Sequence, residues 1–547
     1  MKKTINQIIV EFMKFLKIKY CFGIPGSNMS LLDEINKSKK IKLILTKHEE
    51  GASFMASGFS KSTGIPCSCF GSVGPGATNL ITGVAAAYYD SQPILVLSGQ
   101  VDSSLRGKTS FQESTGIGRT INQFKIFKKI TKYASVINDE KKFVETLKNI
   151  YFALKDNRPG PAYLEIPPNI MQKKIDVKKN IFEKFEKENK ERLKEKILVD
   201  IIKKISREFV NAKKPAILIG GGAINSRKEI LKFINQIKIP ILTTLKGRGI
   251  VSDENPYSLG TIGITGQKSA NDYLSSVDFL IIVGASLSQF TTKSWSFNLK
   301  STMIVRIDVN VKDLTKNYRI DYLLLGDISN ILSSIVFSVK KYEKNFKNIV
   351  KEYRSHGYFD YPEMSDNTLP LKPQTFVSEL RKLLPKDTIV CTESIAWIQK
   401  YFKIYEPRSQ IVCTGFAPIG CSLSEAIGCK LGNKNKIVVS IEGDGGFQMT
   451  AMELMTAVNY KIPFMSIVLN NGILGPIYHP QIKKYKKSFM TEFKNPSYSK
   501  LAESFGIKYT RISKKQDIKK AIKKSLENLK KGCPVLVEVI VGKERWT

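Results

Sequence analysis

Asp444 and Asn471 are the residues whose types and spacing speak most directly of chemistry. Asp444 lies in a glycine turn, Gly443-Asp444-Gly445-Gly446, and Asn471 closes an asparagine pair 27 positions further on. A magnesium ion takes six oxygens, usually from only one or two carboxylates, with phosphate, carbonyl and water filling the rest. Asp444 would supply the carboxylate, Asn471 an amide oxygen and Ile473 a backbone carbonyl, a set suited to anchoring a diphosphate. The small residues of the turn let the backbone come close to such a ligand, and a helix opening over it would aim free N–H groups at the anion. The plainer alternative is a strand-to-helix turn of any α/β domain with a chance Asn-Asn later.

The elements that must hold this pair are short. Residues 437–441 form an apolar run of the kind a buried parallel strand needs, 447–458 repeat apolar residues at helical spacing, and 464–469 read as a second buried strand. One strand-to-strand crossover then delivers both side chains to the same edge of a sheet.

The same alternation runs through the whole chain. Near the N-terminus, Gly23-Ile24-Pro25-Gly26-Ser27-Asn28 makes a tight turn after a first helix. Residues 41–45 run into His48-Glu49-Glu50 and a helix of small residues, and 67–70 end in Gly74-Pro75-Gly76-Ala77-Thr78-Asn79. Residues 94–98 are a further strand. In the middle, 216–219 lead into Gly220-Gly221-Gly222, 279–283 into Gly284, and 304–307 into Asp308. The expected fold is α/β, with three doubly wound parallel-sheet domains at 1–171, 197–340 and 374–547. Between them lie a charged, solvated linker at 172–196 and a second linker at 341–373.

Composition narrows the classes. The chain has 547 residues and a net charge of +37, from 86 Lys and Arg against 49 Asp and Glu. The lysines are dispersed and no nucleic-acid motif frames them, so no nucleic-acid partner is expected. No apolar run is long enough to span a membrane, and the N-terminus lacks a signal peptide's apolar core, which points to the cytoplasm. The eight cysteines sit mostly inside apolar segments and read as small buried hydrophobes. With only three histidines, a mechanism built on several imidazoles is excluded.

The GDG turn followed some two dozen residues on by Asn-Asn resembles the thiamine diphosphate signature. Together with His48-Glu49-Glu50-Gly51-Ala52, the Gly74–Asn79 loop and Phe111-Gln112-Glu113, it makes the chain similar to the acetolactate synthase family over nearly its whole length. That resemblance implies pyrimidine-binding, central FAD-type and diphosphate-binding domains in that order. It implies a homodimer or tetramer with active sites between subunits, and admits a regulatory subunit. Glu49 would be the activating glutamate, Gln112 would face substrate, and Ile419 would sit under the bend of the cofactor. Pro25, Gly26, Gly74, Gly443, Gly445, Gly446 and Gly475 would line the cofactor, with magnesium on Asp444, Asn471 and Ile473. A carboxyl group that protonates the aminopyrimidine at neutral pH needs the raised pKa an apolar pocket supplies.

The implied reaction is decarboxylation of a 2-oxo acid, pyruvate in the first instance, and transfer of the two-carbon unit to a second carbonyl. Departures bear on the details. Pro167-Pro168-Asn169 lacks the lysine found there in the synthases, and Gly284-Ala285-Ser286-Leu287-Ser288-Gln289-Phe290 lacks two arginines of their flavin region, so FAD stays an option rather than a requirement. Pro476-Ile477 and Pro480 replace residues that shape the acceptor pocket. The alternatives are a 2-oxo acid decarboxylase, a carboligase for a specialised acceptor such as a keto-sugar, and a non-catalytic polyanion binder.

Overall fold

The computed structural model describes residues 2–192, 199–309, 317–338, 344–393 and 395–543. Three six-stranded sheets organise them, and every neighbouring pair within each sheet is parallel. The first runs Lys42–Leu45, Tyr20–Gly23, Cys67–Gly71, Ile94–Gly99, Ala162–Ile166, Tyr133–Val136 in space. The second runs Ser258–Thr261, Ile241–Thr243, Pro215–Ile219, Phe279–Val283, Met303–Asp308, Tyr322–Leu325. The third runs Gln410–Ile411, Ile389–Thr392, Val438–Gly443, Met465–Asn470, Val535–Ile540, Lys508–Ile512. Their central strands are almost wholly buried, because crossover helices cover both faces of a parallel sheet. The expected three α/β domains are therefore present.

Three stretches differ from expectation. The helix expected over 447–458 starts earlier and breaks: Asp444–Thr450 is α-helical, Ala451–Glu453 a 3₁₀ turn and Leu454–Asn459 a second helix. The break turns Glu453 toward residues 47 and 48, whose N–H groups its Oε1 accepts at 3.0 Å each.

Within 172–196, the described residues 172–192 pack against the first domain. Lys174–Asp176 pairs antiparallel with Lys2–Thr4, and the helix Ile181–Arg192 lays Phe182 and Phe185 against Phe12, Phe15 and Tyr151. Its many charges occupy the outward face of an amphipathic helix. Likewise, within 341–373, the helix Lys347–Arg354 docks on the central domain. Val350 enters its core, and the Arg354 guanidinium donates to the carbonyls of Ser258 and Asn255.

The outer domains share one apolar core, in which Phe22 and Phe59 from the first meet Leu423, Ile427 and Phe447 from the third. The helices Glu49–Thr63 and Cys421–Gly432 make the joint, and two glycines bring their backbones together. A Cβ on Gly58 would lie 2.2 Å from the Glu425 carbonyl oxygen, and one on Gly428 1.9 Å from that of Met55. At the far end of the joint, Lys61 is buried between Asp90 at 2.8 Å and Glu425 at 2.7 Å, and Lys246 of the central domain also closes on Asp90. Burial alone would raise the Asp90 carboxyl, but Lys246 and Lys61 outweigh it and hold it at about 2.

Candidate active site

Two half-sites form at the carboxyl ends of the outer sheets. In the first, the strand Lys42–Leu45 leads to Glu49 at the first position of its helix, where the extended His48 caps the turn by accepting from the Glu50 N–H. Glu49 is 6% exposed, so it is no ordinary surface carboxylate. Its Oε2 accepts from Asn79 Nδ2 at 2.9 Å. Its Oε1 stands beside Gly76, where a Cβ would come within 3.0 Å of it.

The loop that carries these contacts is itself tied down. The Gly74 N–H donates to Oε1 of the fully buried Gln123 at 2.9 Å, and Gln123 Nε2 reaches Ser98, Tyr163 and Glu165. Gln112 adopts a left-handed backbone (φ 57°) and lies against Gly74, its carbonyl accepting from the Ser114 hydroxyl. Pro25 is exposed, and Gly26 fits against Ser72, whose hydroxyl oxygen accepts from the Ser27 N–H at 3.2 Å. The Pro25–Asn28 turn, the Gly74–Asn79 loop and Gln112 thus gather at one edge with Glu49.

In the second half-site Asp444 is buried. Its Oδ2 accepts three hydrogen bonds: from the N–H groups of Asn471 at 2.9 Å and Gly472 at 2.6 Å, and from Asn495 Nδ2 at 2.7 Å. Among the described residues, its Oδ1 accepts only from Gly445 N–H, at 3.0 Å. Residues 491–493 return antiparallel to 472–474 through bonds from Phe493 N–H to the Gly472 carbonyl and from Leu474 N–H to the Thr491 carbonyl. Those ladder bonds come from the neighbours of Ile473, so its own carbonyl is not consumed by them. Asn471 Oδ1 accepts from the Ile473 N–H at 3.3 Å. A Cβ at Gly443 would meet nothing within 4 Å, whereas one at Gly445 would strike Leu474 and one at Gly446 the Glu393 carboxylate. Gly475 opens the helix Gly475–Tyr485, and Ile419 stands 46% exposed before the left-handed Gly420.

One carboxylate, one amide oxygen and one backbone carbonyl are hard oxygen donors, the set magnesium takes. Among the described residues no group of three or more His, Cys, Asp or Glu offers a softer metal a site. The open space at Gly443, with the first turn of the Asp444 helix beside it, suits a diphosphate on such an ion. Beneath it lie two further carboxyls. Burial, then the nearby Glu442, pushes the Glu393 carboxyl up to about 8. Burial raises Glu442 to about 7 although the Ser422, Ser440 and Ser466 hydroxyls donate to it.

The central domain does not fit FAD in the same way. At its switch point the Gly220 N–H is spent on the Val283 carbonyl and the Gly222 N–H on that of Gly284, so this turn cannot offer them to a diphosphate. Leu287 is buried where the synthases place a flavin-region residue, and Arg248, Arg227 and Lys246 are each bound to a carboxylate.

Comparison with known proteins agrees with this arrangement. Residues 3–119 match the thiamine pyrophosphate enzyme N-terminal TPP binding domain, 202–335 the central domain and 391–539 the C-terminal TPP binding domain. A Methanocaldococcus jannaschii protein named probable acetolactate synthase large subunit is 31% identical over 551 residues, covering 98% of this chain and 91% of that one. The chain belongs to the acetolactate synthase large-subunit family of thiamine pyrophosphate enzymes. The acetolactate synthase large subunit of Lactococcus lactis is 29% identical, covering 98% of this chain and 92% of its own, and that of Buchnera aphidicola is 29% identical, covering 97% and 94%.

Within this family member, Glu49 and Asp444 keep separate partners in the single chain: Asn79 for one, and the 471–472 turn with Asn495 for the other. Large apolar side chains around both half-sites are exposed, among them Phe111 and Met29 on one and Ile419, Met449 and Ile477 on the other. Sequence reasoning missed Asn495, Glu453 and Glu393. Asn79 lay inside a recognised loop without a role of its own, and the other three sit in no recognised motif. Among the described residues no helix is long and apolar enough to cross a membrane.

Proposed function

We propose that the protein is a thiamine diphosphate- and magnesium-dependent carboligase that decarboxylates a 2-oxo acid, pyruvate in the first instance, and passes the two-carbon unit to a second carbonyl. The observation that carries this is the sharing out of the Asp444 carboxylate. Three donors occupy Oδ2, and Oδ1, which accepts from the Gly445 N–H, would join the Asn471 amide and the Ile473 carbonyl on a metal-held diphosphate.

Bound there, thiamine diphosphate would supply a carbon nucleophile and the electron sink that decarboxylation requires. Asp444, Asn471 and Ile473 would hold its magnesium, and Ile419 would support the bend between its rings. Glu49 would turn Oε1 to the ring nitrogen of the aminopyrimidine, since Oε2 already accepts from Asn79. A hydrogen bond there would let it exchange a proton with that nitrogen. Gln112, beside Gly74, would orient the substrate.

Because the exposed apolar side chains ring both half-sites, the reading pairs Glu49 of one subunit with Asp444 of another, in a homodimer or tetramer. The central domain serves as scaffold without FAD.

A second reading has the same donor chemistry and another acceptor, favoured by Pro476, Ile477 and Pro480 in the exposed helix Gly475–Tyr485. Incubation with thiamine diphosphate, magnesium and pyruvate separates the cases. Acetolactate supports the first reading, acetaldehyde a decarboxylase, and carbon dioxide release only with an added ketone or keto-sugar the specialised ligase. No release of carbon dioxide with any 2-oxo acid, with or without an added ketone or keto-sugar, would refute them all.

A further inference from the structure

We propose that Asn495 is a positioning residue that decides which oxygen of Asp444 faces the metal, an inference that rests on the metal-anchoring role proposed for Asp444. Its carboxamide makes four hydrogen bonds. Nδ2 donates to Asp444 Oδ2 at 2.7 Å and to Asn470 Oδ1 at 2.8 Å, while Oδ1 accepts from Gln448 Nε2 at 2.7 Å and from the Tyr498 hydroxyl at 2.8 Å. That exhausts the capacity of a primary amide and fixes its orientation. Turned over, the amide would set its oxygen against the Asp444 carboxylate and its nitrogen against the Gln448 amide nitrogen.

The bonds also tie the pieces of the half-site together. Asn470 ends the strand Met465–Asn470 and donates to Glu538 on the neighbouring strand, Gln448 lies on the Asp444 helix, and Tyr498 is buried edge-on against Phe447. Asn495 reaches this point because 491–493 pair with 472–474, folding the chain back over the asparagine turn.

The consequence concerns the two Asp444 oxygens. The N–H groups of Asn471 and Gly472 and the Asn495 amide all donate to Oδ2, so the three together fix the rotation of the carboxylate. With Oδ2 committed, the carboxylate presents Oδ1 singly, in the monodentate mode that a small octahedral ion requires. Groups that orient metal ligands in this way typically carry about 10- to 100-fold in metal affinity.

The test uses the full-length protein with thiamine diphosphate at saturation and magnesium titrated calorimetrically, beside thermal melting of the cofactor-free protein. Asn495→Leu keeps the volume and removes all four bonds. The expected result is magnesium bound about 10- to 100-fold more weakly than by the wild type. Tyr498→Phe keeps the ring and loosens only one bond, and should shift magnesium affinity in the same direction by less, with the cofactor-free melting temperature near that of the wild type. If the leucine variant does not fold, the phenylalanine variant decides alone. Magnesium affinity within about twofold of wild type in every variant that folds would overturn the inference while leaving the site reading intact. A wild type that takes up neither magnesium nor thiamine diphosphate would overturn both.

Discussion

Asn79 Nδ2 lies 2.9 Å from Glu49 Oε2, so the loop after one strand fixes the carboxyl carried by the helix after another. On the proposed function, the contact would divide the work of the two oxygens, one for orientation and one for chemistry. Glu49→Gln should lower kcat by a factor of about 100 or more, because a carboxamide cannot hold and return the proton. Asn79→Ala should lower kcat by about 10-fold, the cost of the one hydrogen bond that orients the carboxyl. Steady-state kinetics beside melting curves checks both. Normal kcat in either variant would contradict that division of roles.

Glu393 makes stability depend on pH in a stated direction. Its folded carboxyl titrates at about 8, raised by burial and by Glu442, against an ordinary glutamate value near 4.5. The folded state therefore binds more protons than the unfolded chain between those limits. Stability falls as pH rises through that window, by up to about 1.4 kcal/mol per pH unit for the one proton. Glu393→Gln cannot ionise, so denaturant melts of the cofactor-free protein should show a flatter pH dependence and a relative gain near pH 8. An unchanged slope between pH 5 and 8 would show that the proton is not held there.

Lys61 and Lys246 together balance Asp90 and Glu425 where all three domains meet. Lys61→Met leaves a buried carboxylate without its cation, a loss of about 3–5 kcal/mol by urea unfolding. The Asp90 carboxyl is held at about 2, so its contribution is present above the ordinary aspartate value and is lost as pH falls through 2. A wild-type-like midpoint for the methionine variant would mean that the three domains do not depend on this cluster.

Gently purified protein should carry no flavin. The Gly220 and Gly222 N–H groups are already bonded, and nearby arginine and lysine side chains are paired. Visible absorbance after mixing with FAD and desalting is the measurement, and stoichiometric retention would refute the flavin-free scaffold.

The sheets were legible because parallel strands buried on both faces read as apolar runs ending in glycine, as in 279–283 before Gly284. The Asp444–Asn471 relation was legible too, since parallel register sets Gly443 beside Leu469 and so aligns the turns at the two strand ends. Side-chain relations that cross many residues were not. Asn495 reaches Asp444 only through an antiparallel return that leaves no periodic mark, and Glu453 serves Lys47 and His48 across a domain boundary. The docking of the helix Ile181–Arg192 was not legible for another reason. Its charges dominate the composition, while two phenylalanines on one helical face decide where it lies.

Mixing inactive variants tests the central claim most directly, namely that one chain's Glu49 serves cofactor held by its partner's Asp444. Glu49→Gln and Asp444→Ala subunits, each inactive alone, are unfolded together, refolded and assayed. Random pairing puts one intact site in half of the dimers, so roughly a quarter of wild-type activity should return. No recovery, from subunits shown to have exchanged, would contradict a shared site and place both residues in the same chain's own cleft.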